Sequence, residues 1–383
     1  MPPTRGGFGR TRHLHDEFFA HPHNSADSEK AQAMNQITSA PPLRPKPAPT
    51  AIDSPQVQAL HLQEGEPPLF LEARPDAFLG LDEAIAWARA HRSEINDLVL
   101  RYGAVVLRNF PTSTAEDFSR FLQIFPTYLR GYRGGAGTRA KLAPGVMEAT
   151  QLAADLRILM HSEMAYATQY PPRLAFFCRK PAEAGGETPI ADMRKFMRLL
   201  PRELDAYLEA NGSRVVRNCA PAGSPEARVE DHIDNRGWDQ AFETDDRTEV
   251  ESICRDLGTQ PIWHDDGSLT LVTDMDVFTT HPMTGERFYR SYIHTQAAFE
   301  GAERRELTEA LRSKQKMPSQ QLTRKGEPFP AERAAQINAL FDAATVAWPW
   351  QAGDIMILDN LAVAHGRAPY RGEREVQVGM LDW

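Results

Sequence analysis

A mainly β fold with flanking helices, closed as a barrel or jelly roll, is the architecture this sequence predicts. Two observations carry that expectation. Short β-branched or aromatic stretches such as "SRVVRNCA", "LVTDMDVFTTHP" and "GERFYRSYIHTQ" follow one another between about residues 211 and 300, broken by Gly, Pro and Asp. The glycine-rich run "GYRGGAGTR" (131–139) lacks the Gly-Lys-Ser/Thr ending of a phosphate loop and introduces no convincing βαβ unit, which argues against a doubly wound parallel sheet. It is expected to be a loop beside the functional site. No internal repeat is apparent.

The chain has 383 residues, 41% hydrophobic and 25% charged, enough to bury a sizeable core. A net charge of −9 gives no electrostatic reason to expect a nucleic-acid backbone or an anionic membrane surface as partner. No apolar run approaches the roughly 20 residues that span a bilayer, and "MPPTRGGFGRTRHLHDEFF" has no apolar secretory core. Cys178, Cys219 and Cys254 are odd in number and widely spaced, unlike a disulfide framework or a Cys-x-x-Cys metal site. A cytoplasmic protein in a reducing compartment is the expectation.

Residues 1–63 read as a disordered N-terminal extension, because "SAPPLRPKPAPTAIDSP" is stiffened by proline and stripped of backbone donors. His13, His15, His21 and His23 then belong to a mobile tail, and Met34 is a second possible start. The folded domain is placed at 64–383. Within it, "GLDEAIAWARAHRSE" (80–94) predicts a helix with Asp82 and Glu83 in its first turn. "DLVLRYGAVVLRNF" (97–110) predicts a strand or strand pair, and "TSTAEDFSRFLQIF" (112–125) a helix capped by Thr112 or Ser113. "PPRLAFFCRKP" (171–181) reads as a strand, and "IADMRKFMRLLPRELDAYLE" (190–209) as one helix or two divided by Pro201. Helices are expected in "RRELTEALRSKQK" and "PAERAAQINALFDAATV", and alternating strands and turns from "WPWQAGDIMILDN" to the last residue.

The chemistry concentrates in "LRILMHSEMAY" (157–167). If "RILMHSE" is a strand, residues two apart share a face, so His161 and Glu163 point the same way. Imidazole and carboxylate suit a borderline divalent metal such as iron, and a second histidine would complete a set that leaves positions open for reactants. His365, in "VAHGR" just past the apolar strand and turn of "AGDIMILDN", is the best placed to supply it. His264 and His294 compete, and a zinc hydrolase using His264 and Asp265 stays open at this point.

The segments "MHSEMAY", "PPRLAFFCRKPAEAGGETPIADMR" and "AGDIMILDNLAVAHGRAPYRGEREV" resemble the TauD/TfdA family of Fe(II)- and 2-oxoglutarate-dependent dioxygenases, in particular its clavaminate synthase-like and syringomycin-cluster aspartyl-hydroxylase-like members. The resemblance runs from about residue 65 to 383 and also includes the turn "HPMTGERFY" (281–289). It implies a double-stranded β-helix (jelly-roll, cupin-like) core, with His161, Glu163 and His365 as metal ligands. Thr188 in "GGETP" and Arg374 in "RGERE" fall where the family binds its co-substrate, with Arg367 a rival to Arg374. The implied cofactor is Fe(II), with 2-oxoglutarate and O2 as co-substrates that yield succinate and CO2. Glu163 stands where the family's halogenases lack a carboxylate, which makes chlorination an unexpected outcome.

The same resemblance implies an amino acid or amino-acid-derived substrate, free or tethered to a carrier protein, in specialised metabolism. Hydroxylation of an unactivated C–H bond is the default outcome. Desaturation or oxidative cyclisation is the alternative within the same cofactor chemistry, and a non-catalytic β-barrel binding protein with a vestigial metal site is the alternative of another class. Candidate substrate contacts are Tyr132, Arg133, Tyr166, Gln169, His264, Asp266 and Arg367. Surface roles for Arg133 and Asp266, core packing for Tyr166 and a structural hydrogen bond for His264 are the simpler readings. Asp359 and Asn360 are expected to orient the strand that leads to His365.

Overall fold

The computed structural model describes residues 46–48, 52–134, 139–150, 152–224, 227–228, 234–295 and 319–383. The chain divides into Met1–Pro42 and Leu43–Trp383, and only the second contains described residues. Expectations for the histidine-rich tail, Met34 and the helix at "RRELTEALRSKQK" lie outside them.

Leu43–Trp383 mixes helices with many strands. Its largest sheet has nine, in the order Lys46–Pro47, Val57–His61, Leu69–Ala73, Ala104–Arg108, Ile355–Asp359, Arg173–Lys180, Glu375–Leu381, Val146–Glu148 and Lys141–Ala143. A four-stranded sheet runs Thr345–Val346, Ile190–Asp192, Val363–Arg367 and Ile158–His161. Pairing within both is antiparallel except between Leu69–Ala73 and Ala104–Arg108. Each sheet has two open ends, so the closed-barrel alternative is not what the described residues form.

Side-chain alternation explains the layering. In Ala104–Arg108, Val105 and Leu107 join one core while Ala104 and Val106 join another; Ile355 and Ile357 alternate with Met356 and Leu358 in the same way. A strand buried on both faces reads as an unbroken apolar run, as "AVVL" and "IMIL" do. The first core packs against helices Leu81–Ala90, Arg92–Tyr102 and Ala115–Leu122. The second contains Ile190 and Val363 of the four-stranded sheet, so the two sheets stack face to face. Behind the smaller sheet, Ala191 and Ala364 pack with Phe196, Leu204, Ile337 and Phe341 of three further helices. Fully burying each large apolar side chain contributes roughly 1.5–3 kcal/mol, so both faces of the smaller sheet are firmly held.

Three local expectations need correction. The boundary at residue 64 falls inside the large sheet: Val57–His61 pairs along its whole length with Leu69–Ala73, and Val57 is buried. Proline in "SAPPLRPKPAPTAIDSP" hid this strand, which begins just after it. In "DLVLRYGAVVLRNF" the first half is helical, Arg92–Tyr102. Ile95, Leu98 and Val99 are buried at helical spacing, so packing overrides β-branched propensity. Gly103 ends that helix at φ +77°, where a Cβ would also stand 2.5 Å from Val363 Cγ2. Finally, the cap of Ala115–Leu122 is Thr114, whose hydroxyl accepts from the Asp117 N–H while Asp117 accepts from the Thr114 N–H. Among the described residues no helix is long and apolar enough to cross a membrane.

Candidate metal centre

The smaller sheet sets up the site. His161 and His365 are register partners on adjacent antiparallel strands, Ile158–His161 and Val363–Arg367, with ring centroids 4.4 Å apart. Glu163 follows two residues later, and one potential ligand atom from each of the three side chains lies within 4.8 Å of the others. The spatial grouping is as the sequence suggests, but two local reasons differ. The strand ends at His161, so Glu163 belongs to a turn rather than the same strand face. His365 sits inside its strand rather than beyond it, paired on the other side with Ile190.

Asn360 explains how Glu163 is held after the strand stops. Its Oδ1 accepts from the Glu163 N–H at 2.7 Å, and its Nδ2 donates to the carbonyls of Glu163 at 3.0 Å and Pro171 at 2.8 Å. Asp359 accepts from the Leu361 and Ala362 N–H groups through Oδ1 and meets His281 Nε2 at 2.8 Å through Oδ2. Both residues fasten the turn between Ile355–Asp359 and Val363–Arg367. Asn360→Ala would strand buried backbone groups at the Glu163 turn. The expected cost is about 2–3 kcal/mol in urea unfolding, with metal affinity lower by roughly 10–100-fold in a Mn(II) titration.

A second brace was not anticipated. The Arg290 guanidinium donates to the carbonyls of Met164 and Ala167, Tyr292 Oη donates to that of Ser162, and His294 Nε2 stands 2.6 Å from that of Met160. Three side chains spaced two apart thus hold four carbonyls, those of Met160, Ser162, Met164 and Ala167, along the segment bearing His161 and Glu163. The spacing of Arg, Tyr and His in "RSYIH" was the available signal. His294 is spent here and is not part of the triad. Burial, helped by nearby His161 and opposed by its bond to Met160, leaves its pKa at about 4, below the ordinary histidine value of about 6.5. The unfolded chain therefore binds more protons than the folded one below pH 6.5, and stability falls as pH drops toward 4. Between pH 7.5 and 4.5 this group alone should remove about 2–3 kcal/mol. Urea unfolding at the two pH values should show a correspondingly smaller loss for His294→Gln.

The donor set fits a transition metal. His161 Nδ1 lies 2.8 Å from the Leu159 carbonyl, an N–H bond that leaves Nε2 as the free donor. His365 Nδ1 is buried with no hydrogen-bond partner, an expensive arrangement without a ligand. Burial, then the neighbouring His161 and Arg139, push the His365 pKa well down, and burial likewise lowers that of His161. Both rings are therefore neutral at neutral pH, the form that binds metal. Two such imidazoles with one carboxylate are the facial donor set of mononuclear non-haem iron.

Thr188 and Arg374 share a small cavity with His161 and His365. Arg374 Nε donates to the Gly186 carbonyl at 2.7 Å, and its Nη2 to Thr188 Oγ1 at 3.2 Å. Trp350 Nε1 donates to the same hydroxyl at 3.0 Å. Burial, then neighbouring Arg367, lowers the Arg374 pKa to about 10, so the group stays charged. Gly186, at φ +76°, makes the close approach possible: a Cβ there would meet Ala182 Cβ at 2.9 Å and Arg374 Cδ at 3.1 Å. Arg367 also lines this cavity but spends its two terminal nitrogens on the carbonyls of Leu152, Ala153 and Leu156. A larger cavity of about 580 Å³ shares Arg367, Arg374 and Val376 with the small one.

Of the remaining candidates, Tyr132 and Tyr166 lie near the triad. Tyr166 stacks on Tyr292 at 5.9 Å, and Tyr292 stacks on His161 at 6.1 Å. The structure places the others elsewhere. His264 and Asp266 occupy an exposed turn between Gln260–Trp263 and Leu269–Met275, where His264 meets Thr270 and Asp266 accepts from Ser268. Arg133 is turned to the Phe242 carbonyl and Glu249. Gln169 lines a separate pocket with His281 and Trp383. A polar side chain in a loop carries no directional information, so the sequence alone does not say which of these face the triad. Arg139 was not anticipated at all; its Nη2 donates to Glu163 Oε2 at 2.6 Å.

Two histidines and one carboxylate grouped in this way, the histidines sharing a cavity with an arginine and a threonine, form the donor set of a mononuclear iron oxygenase. The family model described as "Taurine catabolism dioxygenase TauD, TfdA family" matches residues 71–380, and the chain belongs to that family. It is accordingly an Fe(II)- and 2-oxoglutarate-dependent dioxygenase. Over 290 residues it is 29% identical to the dapdiamide synthesis protein DdaC of Enterobacter agglomerans, covering 75% of this chain and 84% of that one. A clavaminate synthase-like protein of Arabidopsis thaliana is 29% identical over 294 residues, with the same coverages. Among solved structures, the PvcB protein of Pseudomonas aeruginosa is similar at 14% identity and a TM-score of 0.46, over 90% of this chain and 93% of that one.

Proposed function

We propose that this dioxygenase hydroxylates an unactivated C–H bond of an amino acid or amino-acid-derived small molecule in specialised metabolism. His161, Glu163 and His365 would hold the iron, and Arg374 with Thr188 the distal carboxylate of 2-oxoglutarate. The observation that carries this reading is the gathering of His161, Glu163 and His365, with both histidines lining the small cavity that Arg374 and Thr188 share. The two stacked sheets would be the halves of a jelly-roll core, with the ligand strands in the smaller half facing the larger. Similarity to a dapdiamide synthesis protein and a clavaminate synthase-like protein supports an amino-acid-derived substrate. Three unpaired cysteines suit a cytoplasmic setting.

Iron, when bound, supplies oxidative decarboxylation of 2-oxoglutarate and the oxidising power that breaks the C–H bond. The chain's own work is positional. Arg374 offers a planar fork matched to a carboxylate, and the Thr188 hydroxyl, already oriented by Trp350 and Arg374, defines one side of that subsite. Asn360 and the Arg290–Tyr292–His294 brace keep the two ligand-bearing backbones from drifting. Phe176, whose ring centroid is 5.1 Å from that of His365, shields the centre from water on the side of the large sheet.

The test is to load the protein with Fe(II) anaerobically, add 2-oxoglutarate and a panel of amino acids, carrier thioesters and small peptides, then admit oxygen. Substrate-dependent succinate with a product heavier by one oxygen atom is expected. A product lighter by two hydrogens would replace hydroxylation with desaturation or ring closure. Failure to bind both iron and 2-oxoglutarate would sink the assignment of the site.

A further inference from the structure

Resting on the metal-centre reading above, we propose that Arg139 forms an anion subsite for the primary substrate, which therefore enters with a free carboxylate beside the metal. The guanidinium is nearly buried, its side chain 5% exposed. It lines the cavity that holds His161, His365, Thr188 and Arg374, lies 4.7 Å from the centre of the Tyr132 ring, and its Nε has no hydrogen-bond partner. Glu163 is its carboxylate partner at 2.6 Å.

Charge balance turns this geometry into a ligand class. In the assembled centre, Glu163 and the chelating carboxylate of 2-oxoglutarate offset the charge of the iron. The distal carboxylate of 2-oxoglutarate offsets Arg374. Arg367 is tied to three backbone carbonyls around Leu152–Leu156. Arg139 is then left sharing a single carboxylate with a dication. Tyr132 and Tyr166 beside it bring dipoles and ring faces but no countercharge. A buried cation is costly without a matching anion, and a guanidinium accepts a carboxylate in a planar, two-pronged arrangement. A substrate carboxylate supplies the missing charge and, by docking there, orients the rest of the molecule over the triad, with the tyrosine rings as walls. A substrate whose only carboxyl group is consumed in a carrier thioester would lack this handle.

The experiment uses the full chain loaded with Mn(II) and saturated with 2-oxoglutarate, with propionate as the anionic probe and propionamide as its neutral counterpart. Mn(II) speeds the relaxation of nearby protons steeply with proximity, so the methyl signal of each probe reports occupancy beside the metal. Propionate should relax strongly in the wild type and propionamide weakly. Arg139→Gln should cut the propionate effect at least about tenfold, the scale of losing a charge-assisted hydrogen bond. Mn(II) affinity should not fall, because this guanidinium is a cation that competes with the metal for Glu163 rather than a neutral partner that orients it as Asn360 does, and 2-oxoglutarate affinity should change less than about threefold. Arg139→Lys, which keeps the charge, should retain part of the effect and serves if the glutamine variant does not fold. Equal relaxation by the two probes, or an undiminished propionate effect in Arg139→Gln, overturns the subsite. So does a tenfold loss of Mn(II) affinity in that variant, which would make Arg139 a positioning residue for Glu163. A wild-type protein that binds neither Mn(II) nor 2-oxoglutarate removes the underlying metal-centre reading, and the subsite with it, before any probe is added.

Discussion

His365→Ala is expected to yield a folded protein that no longer retains iron. Losing even an outer partner of a metal ligand costs roughly 10–100-fold in affinity, so losing the ligand itself should cost more than about a hundredfold. The fold should tolerate the change. His365 Nδ1 is already a buried atom without a partner, and removing an unsatisfied polar group offsets much of the packing lost against Phe176. Without metal, the unfolding free energy should therefore move by no more than about 1–2 kcal/mol. With saturating Mn(II), the wild type should gain thermal stability through binding to the native state alone, and the variant should gain almost none. Normal metal content with normal turnover in His365→Ala would remove this residue from the centre.

Arg374→Ala is expected to raise the half-saturating concentration of 2-oxoglutarate by about 10–100-fold, with Fe(II) affinity nearly unchanged. The guanidinium is half-buried, burial has drawn its pKa to about 10, and its bonds to Gly186 and Thr188 fix its direction. Alanine replaces a fixed cation with nothing, so the distal carboxylate loses its countercharge. Arg367→Ala provides the contrast. Its hydrogen bonds hold the carbonyls of Leu152, Ala153 and Leu156, so it should lower stability more than it alters 2-oxoglutarate saturation. If isothermal titration shows the reverse pattern, the two arginines have exchanged roles.

Much of this protein was legible before folding, and the reasons are local. "AVVL", "IMIL" and "LAFFC" announce strands buried on both faces, and His-x-Glu at the end of an apolar run raises a metal pair as one reading that the pair alone does not settle. The resemblance joined that pair to His365, Thr188 and Arg374 across some two hundred residues, which no periodicity can do. Where the sequence misled, a long-range contact outweighed a local preference. Helix Arg92–Tyr102 is β-branched yet helical because Ile95, Leu98 and Val99 meet a common core. Glu163 keeps its place through Asn360 rather than through strand alternation.

The identity of the candidate donor groups was thus written in the chain itself, since donor type and charge are properties of single side chains. Which other side chains brace or oppose them was decided only in three dimensions. Arg139 stands 24 residues from Glu163, and Tyr292 stands 130 residues from Ser162. A hydrogen bond is indifferent to separation along the chain and demands only that folding bring donor and acceptor within about 3 Å.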